Sequence, residues 1–180
     1  MKSIVDILLP VFNGATTITE AIESLQRQTF TSFRIIVVDD GSTDRTLEIL
    51  TGLAARDSRI TILTQPNLGI VAALNAGLRL CQAEFVARHD ADDISDPSRL
   101  AVELDYLRSH TDCMAVSGAV NTSARKVDSL GQFRPSHSPI ARILAGAVAR
   151  ALPDAPISHG PKEDLQGIGG YRPSSVLGVG

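Results

Sequence analysis

The stretch FRIIVVDDGS, residues 33–42, decides the fold class of this chain. Its apolar and largely β-branched first part, Phe33 to Val38, predicts a buried strand. The next four residues, from Asp39 to Ser42, predict a turn. A helix is predicted directly afterwards, with four residues facing inward: Leu47, Leu50, Leu53 and Ala54. The stretch therefore opens a strand–turn–helix unit.

The same unit repeats along the chain. Apolar runs predict further strands at residues 4–9, 60–63, 85–87 and 114–116. Apolar residues at helical spacing predict helices over residues 18–25, 70–81, 100–107 and 140–151. Thr17 and Glu20 have capping-box spacing, and Asp96 is predicted as an N-cap before Pro97. The alternation predicts an α/β fold, a mainly parallel sheet with helices on both faces.

Composition excludes several classes of protein. The chain has 180 residues, 43% apolar and 21% charged, which argues against a disordered chain. Its net charge of -3 gives no broad basic field, so no nucleic-acid partner is expected. Two cysteines are too few for a disulfide scaffold. Because no apolar run is long enough for a signal peptide or a membrane span, the expected location is the cytoplasm.

Three of the predicted strands are followed by polar residues, at Pro10–Asn13, Asp39–Ser42 and Asp90–Asp92. Ligands of parallel α/β sheets bind beyond the carboxyl ends of the strands, so the three segments are predicted to share one edge. Asp90 and Asp92, one residue apart, can converge on a hard cation such as Mg²⁺ or Mn²⁺. Most Asp-x-Asp triplets are surface loops, however, and that interpretation stays open here.

Each remaining polar feature also has a plain structural interpretation. Asp39 suits a ribose hydroxyl or a base N–H, but Asp39–Ser42 can equally be a turn with a helix cap, and Asp44 is expected to cap rather than bind. His89 either responds to the charge of the neighbouring acids or only packs locally. The sequence contains neither a Walker phosphate loop nor a G-x-G-x-x-G after the first strand, and it has no G-x-S-x-G elbow.

Six segments together resemble glycosyltransferase family 2, whose members have the GT-A fold. They are Ile7–Gly14, Gln28–Phe30, Ile36–Asp44, Gln65–Gly69, Leu74–Gly77 and Ala87–Asp93. The resemblance covers residues 4 to about 118 and implies a Rossmann-like sheet. It also implies transfer, with inversion, of a sugar from a nucleotide-diphospho-sugar, with a UDP-sugar favoured as donor. The implied cofactor is a divalent cation, Mn²⁺ or Mg²⁺.

The resemblance also implies roles for individual residues. Those assigned to the nucleotide are Pro10, Phe12, Asp39, Asp40, Asn67, Gly69 and Asp90. Asp92 is the implied direct metal ligand, whereas Asp90 lies nearer the ribose or a metal-bound water. The metal would neutralise the diphosphate and stabilise the leaving group.

The catalytic base is the point at which the chain departs from the family. The family's base follows a Gly-Gly-Tyr-Arg-like stretch, which is present here as Gly169–Arg172. No acid follows it, and Asp164, in the pair Glu163-Asp164, precedes it and is only a weak candidate. The expectation is a donor-binding domain at residues 1–118 and an incomplete, partly irregular acceptor side at residues 119–180.

Three hypotheses follow from these features. The first is a metal-assisted glycosyltransferase acting on a glycan, a lipid-linked molecule or another acceptor, in cell-envelope polysaccharide synthesis. Peripheral association with the inner face of the membrane is an open alternative to a purely cytoplasmic location. The second hypothesis is a non-catalytic nucleotide-sugar-binding remnant that lacks the base. The third, a nucleotidyltransferase, ranks last because the segment Asn13–Thr16 contains no cationic residue.

Overall fold

A computed structural model describes residues 3–118 and 147–151 of the chain. The described residues form six strands and four helices. The strands are β1 (Val5–Val11), β2 (Phe33–Asp39), β3 (Ile60–Thr64), β4 (Phe85–Arg88), β5 (Ala115–Ser117) and β6 (Ala147–Arg150). The helices are α1 (Ile18–Gln26), α2 (Thr46–Ala54), α3 (Ile70–Leu78) and α4 (Arg99–Ser109).

The strands form one sheet in the order β3-β2-β1-β4-β6-β5. β1 pairs in parallel with both β2 and β4, and β2 pairs in parallel with β3. β6 runs antiparallel to its two neighbours, β4 and β5. The prediction of a mainly parallel sheet is therefore confirmed. Because β6 lies inside this sheet, residues 147–150 add a strand between β4 and β5.

Helices cover both faces of the sheet, as predicted. On one face, β1 directs Ile7 and Leu9 toward the core that it shares with α1, α2 and α4. On the other face, Leu8 packs into a smaller core with α3. Gly77 lets α3 approach the sheet closely, because a Cβ atom there would lie 2.1 Å from Leu8 Cδ1. The alternation of side chains along β1 thus holds the two helical layers on opposite sides.

The predicted helix over residues 140–151 is wrong where it overlaps the described residues. Ala147–Arg150 is strand β6, and Val148 in it is fully buried. Val148 stands between Ala87 of β4 and Val116 of β5. Periodicity cannot separate a helix from a strand over so short an apolar run, so the pairing partners decided the conformation.

Three details at helix ends also differ from the predictions. The Thr17 side chain makes no cap on α1; its hydroxyl donates backward to the carbonyl of Gly14 at 3.4 Å. The N-cap of α4 is Ser98, whose N–H donates to Asp96 Oδ1 at 2.8 Å. In α2, Leu47 is exposed because it lies one residue, about 100° of rotation, past buried Thr46 on the helix.

Candidate functional site

Strands β1, β2 and β4 all end at the same edge of the sheet. Val11, the last residue of β1, pairs with Asp39, the last residue of β2. On the other side of β1, Leu8 pairs with Arg88, the last residue of β4. Since adjacent strands lie ~4.8 Å apart, β2 and β4 are ~10 Å apart across the sheet, and β2 extends three residues further along β1 than β4 does. The three polar segments found in the sequence therefore meet at this edge, which we call the carboxyl edge.

The loops that follow β1 and β2 are hydrogen-bonded to each other. The N–H of Asn13 donates to Ser42 Oγ, and the Asn13 side chain accepts the N–H of Thr43, at 2.9 and 2.8 Å. Asn13 has a φ of 50°, the left-handed conformation that Asn tolerates better than most residues. Asp44 accepts the N–H of Thr46 at 3.0 Å and so supports the start of α2, but the N-cap is Arg45 and not, as predicted from the sequence, Asp44.

Asp40 holds the loop between β3 and α3. It is 4% exposed, and its carboxylate accepts the N–H groups of Leu68 and Gly69 at 3.0 and 2.8 Å. Gln65 Nε2 donates to the same carboxylate at 2.6 Å. The Asp40 N–H donates to the carbonyl of Val11 at 2.9 Å. With both oxygens occupied, Asp40 orders the loop that carries Asn67 and Gly69.

Gly41 is required where this loop crosses the turn after β2. Its φ is 75°, and a Cβ atom there would lie 2.6 Å from the backbone nitrogen of Asn67. We expect Gly41→Ala to lower the free energy of unfolding by about 2 kcal/mol or more, measured by urea denaturation. Gly52→Ala is the matched control. Nothing lies within 4 Å of a Cβ at Gly52 on α2, so this change should stabilise by about 0.5–1 kcal/mol. Equal effects of the two variants would contradict the close contact.

An open pocket lies between the end of β1 and the start of α3. It is lined by Pro10, Val11, Phe12, Asp40, Ile70 and Ala73. Phe12 is 48% exposed and Ile70 is 53% exposed, so both present apolar surface at the pocket. The structure thus brings together three residues singled out in the sequence, Pro10, Phe12 and Asp40, and adds Ile70 and Ala73, which the sequence reasoning missed.

Asp39 is placed differently from Asp40. It is 2% exposed, and its Oδ1 accepts the N–H of Ser42 at 3.2 Å. Its other oxygen, Oδ2, has no hydrogen-bond donor among residues 3–118 and 147–151. Asp39 therefore serves the turn with one oxygen, and its other oxygen has no donor in the described part of the chain.

The acidic loop, residues 90–94, follows β4 at the carboxyl edge. Arg88 and Asp90 form an ion pair, with Arg88 Nη2 2.8 Å from Asp90 Oδ1. Asp92 is exposed and has neither a hydrogen bond nor an ion pair to another described residue. Burial, followed by the negative charges of Asp90 and Asp92, raises the pKa of Asp93 above its usual value. The loop therefore carries negative charge that Arg88 balances only in part.

His89 packs beneath the acidic loop and is 2% exposed. Its Nε2 lies 3.2 Å from the carbonyl oxygen of Asp93, and its Nδ1 lies 3.5 Å from Arg99 Nη1. Burial, followed by the positive charge of Arg99, lowers the pKa of His89 to about 4, so the imidazole is neutral near pH 7. The sequence left two interpretations of His89 open, a response to the charge of the neighbouring acids and local packing. This geometry matches local packing.

The residues present fit a hard cation that takes few ligands from the protein. No cluster of three or more Asp, Glu, His or Cys side chains suited to a metal occurs in the described part of the chain. Mg²⁺ and Mn²⁺ with nucleotides need only one or two carboxylates, and substrate phosphates and water complete the coordination. Asp92 has a free carboxylate for this, whereas Arg88 already occupies Asp90.

Further residues at this edge were not found from the sequence. Gln65 and Arg88, the partners of Asp40 and Asp90, are examples. Arg88 could have been found, since residues two apart in an extended segment point to the same side.

Asp164, the weak candidate for a base, lies outside the described residues, as do Gly169–Arg172. In the described segments, no helix is both long and apolar enough to cross a membrane.

Solved structures with this fold bind nucleotide-sugars. The chain is 27% identical to the mannosyltransferase PcManGT of Pyrobaculum calidifontis, in complex with GDP-Man and Mn²⁺, with a TM-score of 0.62 over 67% of this chain and 36% of that one. It is 29% identical to S. aureus TarS in complex with UDP-GlcNAc, with a TM-score of 0.56 over 59% of this chain and 32% of that one. The fold is that of the GT-A class of glycosyltransferases.

The family follows from the sequence comparison. The model described as "Glycosyl transferase family 2" matches residues 6–150, and the chain belongs to that family. A curated relative, the chondroitin synthase of Escherichia coli, is 34% identical over 130 residues, which is 72% of this chain and 18% of the relative. An uncharacterized glycosyltransferase of Haemophilus influenzae is 35% identical over 68% of this chain and 38% of its own length. The chain thus spans less than half the length of these relatives.

Proposed function

We propose that the carboxyl edge binds a nucleotide-diphospho-sugar, and that the protein transfers its sugar to an acceptor hydroxyl with inversion and metal assistance. The observation that carries this proposal is the meeting of two different polar features at one edge. Within residues 3–118 and 147–151, one carboxylate oxygen of Asp39 and the carboxylate of Asp92 have no partner, so they could take a hydrogen-bond donor and a cation respectively. They follow strands β2 and β4, which flank β1 and lie ~10 Å apart across the sheet, so a nucleoside at one end and a diphosphate at the other could span them.

The nucleoside end is assigned to the pocket beside α3 and to its rim. Pro10 and Phe12 offer apolar surface to a flat base, and Phe12 is half exposed without a ligand. Asn67 and Gly69 lie in the bordering loop that Asp40 holds in place. The free oxygen of Asp39 would accept a base N–H or a ribose hydroxyl. We favour a UDP-sugar, and the complex of S. aureus TarS with UDP-GlcNAc is a precedent for it.

The diphosphate end is assigned to the acidic loop. Asp92 would hold Mn²⁺ or Mg²⁺ directly, and Asp90, already paired with Arg88, would face the ribose or a metal-bound water. The bound cation would neutralise the charge that develops on the leaving diphosphate. In the mannosyltransferase PcManGT, Mn²⁺ accompanies GDP-Man, which supports a divalent cation in this class.

Inversion needs one nucleophile and one base. The acceptor hydroxyl oxygen would form a bond to the anomeric carbon while the bond from that carbon to the diphosphate oxygen breaks, and a carboxylate would take the hydroxyl proton. Asp164 stays the weak candidate for that carboxylate.

The acceptor is proposed to be a glycan or a lipid-linked molecule of the cell envelope, reached from the cytoplasm or from the inner face of the membrane. The donor domain is proposed to end near residue 118, although β6 also joins its sheet.

The direct test is a transfer assay with labelled UDP-GlcNAc and GDP-Man, run beside binding of the same donors. Binding and transfer together support the full proposal. Binding without hydrolysis or transfer favours the non-catalytic nucleotide-sugar-binding remnant. A chain that binds neither donor in the presence of Mn²⁺ would falsify both versions.

Asp39→Asn tests the nucleoside end. We expect the affinity for uridine, measured by calorimetry without metal, to fall by about tenfold or more, because a hydrogen bond to a charged acceptor contributes about 1.5–3 kcal/mol. Asp112→Asn, on an exposed residue remote from the carboxyl edge in sequence, is the control with the same charge change. If uridine binds equally well to both variants, Asp39 is a turn residue only.

A further inference from the structure

The acidic loop is short, and the sheet fixes its start. The N–H of His89 donates to the carbonyl of Leu8 at 3.0 Å, which ties the residue before the loop to strand β1. Within the loop, the N–H of Asp93 donates to the carbonyl of Asp90 at 3.2 Å. Only residues 90–94 separate His89 from Ser95, so the position of Asp92 depends on where Ser95 is held.

A buried amide and a buried hydroxyl hold the far end of the loop. Gln28, just past the end of α1, is 4% exposed, and Ser24 on α1 is fully buried. The Gln28 Nε2 group donates to Ser95 Oγ at 3.2 Å and to the carbonyl of Asp96. Gln28 Oε1 accepts the N–H of Leu100 at 3.0 Å. Ser24 Oγ accepts the N–H of Ser95 at 2.9 Å.

These contacts use the full hydrogen-bonding capacity of the Gln28 Nε2 group, since both of its N–H bonds have acceptors. They also join elements that are 67 to 72 residues apart in sequence. Without them, the segment free to move would extend from the acidic loop to the start of α4, although Thr29 still donates its N–H to the carbonyl of Pro97. A longer free segment has more conformations to lose when a ligand orders it.

We propose that Gln28, together with Ser24, is a positioning residue for Asp92, because it fixes the end of the acidic loop and thereby keeps the Asp92 carboxylate at the carboxyl edge. This inference rests on the proposed function, in which Asp92 binds the cation. Gln28 touches neither the proposed nucleotide nor the proposed metal. Substitution of Gln28 should therefore weaken metal binding and leave nucleoside binding unchanged.

The test compares Gln28→Met and Ser24→Ala with the control Gln26→Met. Gln26 lies on α1, as Ser24 does, but its Nε2 donates to Asp57 at 2.9 Å, away from the acidic loop. We expect the Mn²⁺ affinity measured with UDP to fall about tenfold in Gln28→Met and by a smaller factor in Ser24→Ala, as for other partners that orient a metal ligand. Uridine affinity without metal should stay within about twofold of the parent, because the nucleoside end is untouched.

Amide hydrogen exchange supplies a second readout. Exchange should quicken over residues 90–98 in Gln28→Met and not in Gln26→Met. Ser24→Ala keeps the test decisive if Gln28→Met does not fold, because the substitution is small and Ala favours helices. If Mn²⁺ affinity is unchanged in Ser24→Ala, or if Mn²⁺ and uridine affinities fall equally, the positioning role is wrong but the proposed function is not affected. A parent chain that binds no Mn²⁺ contradicts the proposed function, and the inference with it.

Discussion

Asp92→Asn should abolish the gain in UDP affinity that Mn²⁺ provides, so that UDP binds no more tightly with the metal than without it. The substitution preserves shape but removes the charge of an acidic-loop carboxylate that is exposed and has no hydrogen bond or ion pair among the described residues. Hard divalent cations bind carboxylate oxygens far better than amides. Calorimetric titration of UDP, with and without Mn²⁺, measures the gain directly.

Asp105→Asn is the matched control for this experiment. Asp105 is exposed on α4, and its substitution changes the net charge equally without touching the acidic loop. The control should keep the full Mn²⁺-dependent gain. If Asp92→Asn keeps that gain as well, Asp92 is not the metal ligand and the assignment of the diphosphate end is wrong.

Asp6→Asn should cost about 3 kcal/mol in the free energy of unfolding. Asp6 is fully buried in β1 and pairs with Arg34 at 2.9 Å. It also accepts the N–H groups of Gln82 and Ala83, at 2.7 and 3.0 Å. Breaking a buried ion pair costs about 3–5 kcal/mol, and the partial exposure of Arg34 argues for the lower end. Urea denaturation measures the loss, with Asp112→Asn as the exposed control.

The same residue predicts a dependence of stability on pH. Burial raises the pKa of Asp6, but hydrogen bonds from Arg34, Gln82 and Ala83 outweigh burial, and the pKa lies below its usual 3.8. A lowered pKa means that this stability is present above pH 3.8 and is lost as pH falls through the folded-state value. The stability difference between the parent and Asp6→Asn should therefore shrink below about pH 4. A difference that stays constant there would contradict the role of the Asp6 charge.

Much of the fold could be predicted because local sequence and tertiary structure agree. β2 is one example: Phe33–Val38 reads as a buried strand, and Ile35 to Val38 are all fully buried in the sheet. The inward residues of α4, Leu100, Leu104 and Leu107, are likewise buried as predicted. One apolar pattern extends along each element, a continuous run in β2 and helical spacing in α4. Propensity and packing therefore favour the same conformation.

The prediction failed where a distant partner decides the conformation. β6 is a strand because β4 and β5 offer it backbone hydrogen bonds on both sides, and nothing in its own four residues reveals those partners. The hydroxyl of Thr17, predicted to cap α1, donates instead to the carbonyl of Gly14, a competing partner only three residues away. Local patterns cannot rank such competing partners.

The candidate site was predictable in position but not in detail. Parallel strands bring their carboxyl ends to one edge, which is where the sequence predicts Asp39 and Asp92. What separates Asp39 from Asp40 is hydrogen bonding: the loop of Gln65 to Gly69 occupies both oxygens of Asp40, whereas one oxygen of Asp39 has no donor among the described residues. Contacts over such sequence distances leave no periodic signal, and the same is true of Gln28 and Ser95.

The central claim is that one edge of the sheet holds a nucleoside diphosphate through a cation at Asp92. Paramagnetic broadening of backbone amide NMR signals by Mn²⁺, recorded on the 19.1 kDa chain with UDP, tests it most directly. The account predicts that the amides of Asp92 and Asp93 broaden first, and that those of Leu68 and Gly69 shift on addition of UDP even without metal. Broadening centred elsewhere, with the acidic loop unaffected at saturating UDP and Mn²⁺, would contradict it.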